Sequence, residues 1–483
     1  MSSRSKLVKN MVWNTTYQVL SLLIPLLTIP YVSRVLGTDG VGVYSYTYSI
    51  ANYFVLFATL GMAQYGVREI AKCGNNRERR SKVFCSAWAA QVLVSLPIVC
   101  VYIVYIIAFS NRDYIVSSFL WLFWVASSSL DISWLYFGVE EFAVPTVRSV
   151  ITKLVGTCII FVFCRTSDDL WAYVLGISLP FFLNALMLFP FLNRYVDFIS
   201  CPWAEIKRHF VPNLRLFAPV IAISLYSSFD KILLGLVSGM NEAGLFEYSD
   251  KVARMPLAVV TALGTVMLPH MTESMSCSSN GKESESLLQS SFEIMQFISL
   301  GLAFGIVAVA KPIADIYFGP GFGKCFIVLP IVAIMIPIIA ASNVLGVQYM
   351  LPKNMDKQYT KSVVFGAIAN ILLCCLLLKP YGSIGAGIAT VLTELTVLFV
   401  QGCYVKKQLN LCRMVVCALP YVIIGLLMLF LVAIISPVFI TYLGYSWVYL
   451  FSLILFGAFI YLSFSVLYYK TVRFLVIGDI REQ

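Results

Sequence analysis

The sequence predicts an all-α polytopic membrane protein of about fourteen transmembrane helices, arranged as two six-helix lobes followed by two further helices. Three observations predict it: the composition, the spacing of apolar runs, and the alternation of basic loops. Of 483 residues, 60% are apolar and only 12% are charged. A soluble domain is about 45–50% apolar and about 25% charged, so a water-soluble chain of this balance lacks the polar surface to cover its core. At about 20 residues per crossing, the roughly 290 apolar positions fill about fourteen spans. A soluble enzyme, a disordered chain and a single-anchor receptor are thereby excluded.

The apolar runs fall at 11–36, 42–62, 83–109, 115–137, 150–163, 171–191 and 214–237, then at 244–270, 288–310, 326–351, 362–378, 384–405, 415–436 and 443–468. Arg4, Lys6 and Lys9 precede the first run, which is too long for a signal-peptide core and lacks a small-residue cleavage site, so it reads as an uncleaved span. The fifth run is short, and 310–324 is ambiguous.

The net charge of +10 gains its meaning from distribution. Every second loop is rich in Lys and Arg: Arg68, Lys72, Arg77, Arg79, Arg80 and Lys82, then Arg148 and Lys153, then Arg194, Lys207, Arg208 and Arg215. Lys282, the group Lys353, Lys357 and Lys361, and the group Lys406, Lys407 and Arg413 continue the pattern. The alternate loops carry Arg112, Arg165, Lys324, Lys379 and little else. Positive charge marks the cytoplasmic side, so an even number of spans with both termini cytoplasmic is expected, and no nucleic-acid partner.

The lobes are inferred from weak internal repeats. DGVGVYSY from Asp39 matches NEAGLFEY from Asn241 at an offset of 202. Leu135-Tyr136 and Arg148-Ser149-Val150 match Gln348-Tyr349 and Lys361-Ser362-Val363 at an offset of 213. Two parallel lobes at 1–212 and 213–410, with 411–483 as an appended pair, follow from these offsets, and a substrate cavity belongs between such repeats.

Catalytic and cofactor signatures are absent from the sequence. There is no GxxxxGK[ST] loop, no HExxH, no GxSxG and no CxxC; the thirteen cysteines read as small buried apolar groups, and His209 and His270 alone do not make a metal site. The reading is of a non-enzyme without cofactor or metal. Polar chemistry inside the spans is costly and carries the remaining information. Asn10, Asn14, Gln18, Ser21, Pro25 and Thr28 share an arc of about 80° on the first span, facing either a cavity or a neighbouring helix. The eighth span carries Glu247, Asp250, Lys251 and Arg254 as two i,i+4 opposite-charge pairs, and the seventh carries Asp230 and Lys231. Arg34, Lys231, Lys251 and Arg254 form the candidate set for an anionic headgroup, since Arg and Lys bind phosphate. Asn14, Gln18, Asp230, Glu247 and Asp250 are its polar partners. Asp131 and Glu394, isolated acids, read either as coupling-ion sites or as caps and interhelical hydrogen-bonding groups.

The runs IPYVSRVLGTDGVGVYSYTYSIANYFVLFATLGMAQYGVREIAK and LYSSFDKILLGLVSGMNEAGLFEYSDKVARMPLAVVTALGTVMLPHM resemble bacterial polysaccharide-transport flippases of the Wzx type, within the multidrug/oligosaccharidyl-lipid/polysaccharide exporter superfamily. The resemblance implies a fourteen-helix, two-lobe fold that works by alternating access. It also implies translocation of polyprenyl-diphosphate-linked oligosaccharide repeat units across the bacterial inner membrane for O-antigen, capsule or exopolysaccharide assembly. Membrane lipid and a glycan polymerase are its expected partners. The alternative from the same superfamily is a cation-coupled multidrug exporter, in which Asp131 or Glu394 dominates.

Overall fold

The computed structural model describes residues 3–277 and 281–470, and among them every regular element is helical. In chain order the helices are α1 (Ser3–Thr59), α2 (Met62–Ala71), α3 (Arg77–Phe109), α4 (Ile115–Leu120), α5 (Leu122–Leu130), α6 (Ser133–Gly138), α7 (Ala143–Phe163), α8 (Leu170–Leu186), α9 (Trp203–Lys207) and α10 (Phe210–Ser238). They continue as α11 (Met240–Arg254), α12 (Leu257–Cys277), α13 (Gly281–Ala308), the single turn α14 (Ala310–Pro312), α15 (Cys325–Ala333), α16 (Met335–Asn343), α17 (Asp356–Val405), α18 (Leu411–Leu443) and α19 (Trp447–Tyr468). Among the described residues, nine helical segments are long and apolar enough to cross a bilayer. Two helices are long enough for two crossings: α1 and α17 have 57 and 50 residues, or ~85 and ~75 Å at 1.5 Å per residue against a hydrocarbon core of ~30 Å. Each is broken by a glycine with left-handed backbone, Gly37 (φ 65°) and Gly382 (φ 55°). These positions fall in the gaps the sequence leaves at 36–42 and 378–384, and only glycine adopts such a φ without strain.

The chain divides into two compact units, Met1–Gly244 and Leu245–Gln483. Both show the polarity of a lipid-embedded protein. Ile107 and Phe399 are 77% and 72% exposed, whereas Ser33, Ser45, Ser86, Ser249 and Ser299 are fully buried. Small hydroxyl residues allow close helix approach, and their protons return to backbone carbonyls within the helix, as from Ser249 to Leu245 (2.8 Å).

The fourth sequence run is not one helix in the structure. It is divided into α4, α5 and α6, with breaks at Trp121 and at Asp131–Ile132. The cause is local. Ser127 and Ser128 each donate to the carbonyl three residues back at 2.6 Å, and the Gln91 amide takes the Ser128 and Asp131 carbonyls at 2.6 and 3.0 Å. These bonds satisfy backbone groups that the helical ladder has released. The fifth run, short in sequence, is the full 21-residue α7. Arg148 sits inside it because its guanidinium lies 3.8 Å from the Phe191 ring centroid and donates to the Met187 carbonyl at 2.8 Å.

Within the first unit, the start of α11 lies against α1 just after its break. A Cβ added at Gly42 would overlap the Met240 carbonyl, and one added at Gly244 would overlap the Thr38 carbonyl. The Asn241 amide donates to Thr38 Oγ1 at 2.6 Å. Thr38 and Met240, like Gly42 and Gly244, are 202 positions apart, so the close approach is reciprocal under the offset of the sequence repeat. Within the second unit, α18 and α19 pack on α13. Tyr421 donates to the Glu293 carboxylate at 2.9 Å and Tyr461 to the Phe297 carbonyl at 2.8 Å.

Candidate functional site

The polar stripe of the first span lies on α1. The side chains of Asn14 and His270 fall outside the described residues; Gln18 is exposed. Ser21 on the same stripe accepts from Lys153 Nζ of α7 at 2.7 Å. From sequence Lys153 counts among the loop cations with Arg148, although it falls near the start of the fifth run at 150–163. The signal that places it inside the helix is the apolar sequence upstream, which lets α7 begin at Ala143. Arg34 is exposed and folds back to the Pro30 carbonyl.

On α10, Asp230 is buried and its carboxylate accepts the Lys231 backbone N–H at 2.7 Å. Tyr53 of α1 lies within its electrostatic reach and donates to the Ser224 carbonyl at 3.0 Å. Asp131 is half-buried at the α5–α6 break, where its carboxylate accepts the Ser133 N–H at 2.9 Å. That is a turn cap, one of the two uses the sequence leaves open.

In the second unit, both ion pairs expected on the eighth span are formed. Lys251 lies 3.4 Å from Glu247, and the Arg254 guanidinium donates to Asp250 at 2.6 Å. Glu247 and Asp250 are buried, whereas the Lys251 and Arg254 side chains keep 27% and 31% of their surface. The acids therefore point inward and anchor cations whose ends remain reachable. Glu394 of α17, isolated in the sequence, is buried within electrostatic reach of Arg254 and Asp250, and Tyr359 lies beside it. Two acids thus converge on one arginine. If an anion draws Arg254 away, a buried carboxylate loses its counter-charge, which is costly unless it takes up a proton. This arrangement can link anion binding to proton binding. Tyr248, stacked at 5.8 and 5.6 Å on Phe318 and Phe322, is a packing residue, and so is Tyr44 among Trp121, Tyr48 and Tyr173.

Nine apolar helices long enough to cross a bilayer among the described residues, and an exterior of exposed apolar side chains, define a polytopic all-α membrane protein. The solved structure of the lipid II flippase MurJ, in an inward closed conformation, matches with a TM-score of 0.68 over 96% of this chain and 99% of that one at 17% identity. An inward-facing multidrug resistance transporter of the MATE family matches with a TM-score of 0.59 over 82% of this chain and 98% of that one at 13% identity. The fold is the one these transporters share. The "Putative O-antigen transporter" of Escherichia coli (strain K12) is 22% identical over 417 residues, covering 84% of this chain and 98% of the relative. The chain belongs to the polysaccharide biosynthesis protein family, whose model matches residues 7–275.

Proposed function

We propose that the protein is a flippase that carries polyprenyl-diphosphate-linked oligosaccharide repeat units across the bacterial inner membrane for surface-polysaccharide assembly. The carrying observation is that the polysaccharide family match, residues 7–275, spans all four candidate headgroup cations, Arg34, Lys231, Lys251 and Arg254. The activity is transport, with no covalent step. In this reading the chain has fourteen spans, both termini are cytoplasmic, and a glycan polymerase acts on the delivered units. The lobes are 1–212 and 213–410, with 411–483 appended. The reciprocal approach of Gly42 and Gly244 supports the duplication that the lobes require.

The headgroup diphosphate engages Arg34, Lys231, Lys251 and Arg254 while the polyprenyl tail stays in lipid. Asn14, Gln18, Asp230, Glu247 and Asp250 orient these cations and the sugar. Transfer of Arg254 from Asp250 to the diphosphate is compensated by protonation of Glu394, and reversal releases headgroup and proton together. Glu394 suits the coupling role better than Asp131, whose carboxylate already caps a turn. Alternation between inward and outward forms then follows from differential affinity of the two forms for the headgroup.

The test is depletion of the protein followed by localisation of lipid-linked repeat units. Their accumulation on the cytoplasmic face, with loss of surface polysaccharide, is expected. Normal glycan together with sensitivity to cationic dyes would instead establish the multidrug exporter.

A further inference from the structure

A second concentration of positive charge lies in the first unit, away from the ion pairs of α11. The end of α2, the first turns of α3 and the α9–α10 junction enclose a cavity of about 750 Å³. Six cations line it, Arg68, Lys72, Arg79, Lys82, Arg208 and Arg215, against two carboxylates, Glu69 and Glu205. The two lysines are already neutralised, Lys72 by Glu69 at 2.6 Å and Lys82 by Glu78 at 2.8 Å. The four arginines have no side-chain hydrogen bond or ion pair among the described residues. Neighbouring arginines are used differently: Arg77 forks onto Asp197 at 2.7 and 2.8 Å, and Arg80 donates to the Tyr195 carbonyl at 2.9 Å. Structural arginines in this region are thus bonded, and those facing the cavity are not.

The wall beneath the cavity is fixed. The His209 imidazole is buried between two hydroxyls, Tyr65 Oη at 2.6 Å from Nδ1 and Ser86 Oγ at 2.9 Å from Nε2. This ties α2, α3 and the start of α10 together, so the arginines converge on a rigid frame. A topology signal requires only that cations lie on one side of the membrane. It does not require four unbonded guanidinium groups around one concavity. Like charges gathered around one concavity repel, and an entering anion relieves that repulsion. Guanidinium donors in this number match phosphate oxygens, which accept paired N–H bonds.

We propose that this cavity is a binding site for a phosphate-dense anionic group, a diphosphate or a phosphodiester headgroup, held by Arg68, Arg79, Arg208 and Arg215. The site does not depend on the transport reading. Two sources share this chemistry: the headgroup of an anionic phospholipid in the adjoining leaflet, and the diphosphate of a polyprenyl-linked glycan. Basic pockets between membrane helices capture such headgroups, and the volume accommodates more than a single phosphate.

The test uses the full chain in phosphatidylcholine nanodiscs titrated calorimetrically with inorganic pyrophosphate at low salt. R68Q/R79Q/R208Q/R215Q is expected to bind at least tenfold more weakly than the unaltered chain. K357Q/K361Q/K406Q/K407Q, which removes the same charge from exposed lysines elsewhere, is expected to stay within twofold. Native mass spectrometry in mixed phosphatidylglycerol and phosphatidylcholine separates the sources. Preferential loss of phosphatidylglycerol adducts from the arginine variant assigns a leaflet lipid, and unchanged adducts with lost pyrophosphate binding assign the diphosphate. Equal weakening in both quadruple variants, or no pyrophosphate binding by the unaltered chain, would overturn the proposal. If the arginine variant fails to fold, R79Q and R208Q singly are expected to weaken binding about threefold each; no change in either would also overturn it.

Discussion

Replacing Arg254 by alanine isolates the physics on which the unit-2 site depends. The guanidinium bonds Asp250 at 2.6 Å, and Glu394 lies within its electrostatic reach; both acids are buried. Removing one partner of a buried pair costs about 3–5 kcal/mol, because the remaining charge has neither water nor counter-ion. The loss falls in the unit of residues 245–483, and for a unit of this size ~2 °C per kcal/mol gives a drop in unfolding temperature of about 6–10 °C. Adding Asp250→Asn removes one stranded carboxylate, so Arg254→Ala/Asp250→Asn is expected to regain about half of the loss. The assay is thermal unfolding of the purified protein in detergent for both singles and the double, read as a double-mutant cycle. An Arg254→Ala protein as stable as the unaltered one, or a double variant at the simple sum of the singles, would refute the idea that this arginine compensates buried acids.

Three further predictions follow from other parts of the chain. Gly42→Ala and Gly244→Ala each place a methyl group into a backbone carbonyl and should destabilise by about 1–3 kcal/mol; a unit that unfolds at the same temperature contradicts the close approach. Burial, and then the neighbouring Arg208 charge, lowers the His209 pKa from 6.5 to about 4. The unfolded chain therefore binds the proton first, so stability is flat above about pH 6.5 and falls as pH drops toward 4. His209→Gln should flatten that acid slope in thermal unfolding at pH 7.5 and pH 5, and an unchanged slope would assign it to other groups. Lys251→Gln and Arg34→Gln should reduce surface glycan at normal protein abundance, as measured by glycan staining against membrane immunoblots, and normal glycan in both would remove these cations from the site.

The parts of this fold written in local sequence are those set by composition and backbone chemistry. Apolar run lengths gave the helical membrane class, and Gly37 and Gly382 break helices where the runs pause. The i,i+4 pairs on α11 were legible because helical periodicity alone brings Glu247 to Lys251 and Asp250 to Arg254. What local sequence does not carry is tertiary adjacency. Glu394 lies 140 positions from Arg254 along the chain, and Ser21 meets Lys153 across 132 positions; no periodicity links either pair. The division of the fourth run was hidden for another reason. Its residues are apolar enough for one helix, and the break arises from Gln91 on α3 taking carbonyls that α5 releases. The cavity arginines were visible as a charge cluster, but a positive-inside loop looks the same in sequence whether its cations diverge or converge.

The most direct measurement of the central claim is transport by the purified protein. Proteoliposomes would carry a fluorescent polyprenyl-diphosphate oligosaccharide, with dithionite added outside to bleach only the accessible leaflet. The protein is expected to raise the bleached fraction from about half toward completeness, Arg254→Ala/Lys251→Gln to slow this, and a pH gradient to change its rate. A bleached fraction that stays at half in protein-containing vesicles, with the protein folded and inserted, would contradict the flippase assignment.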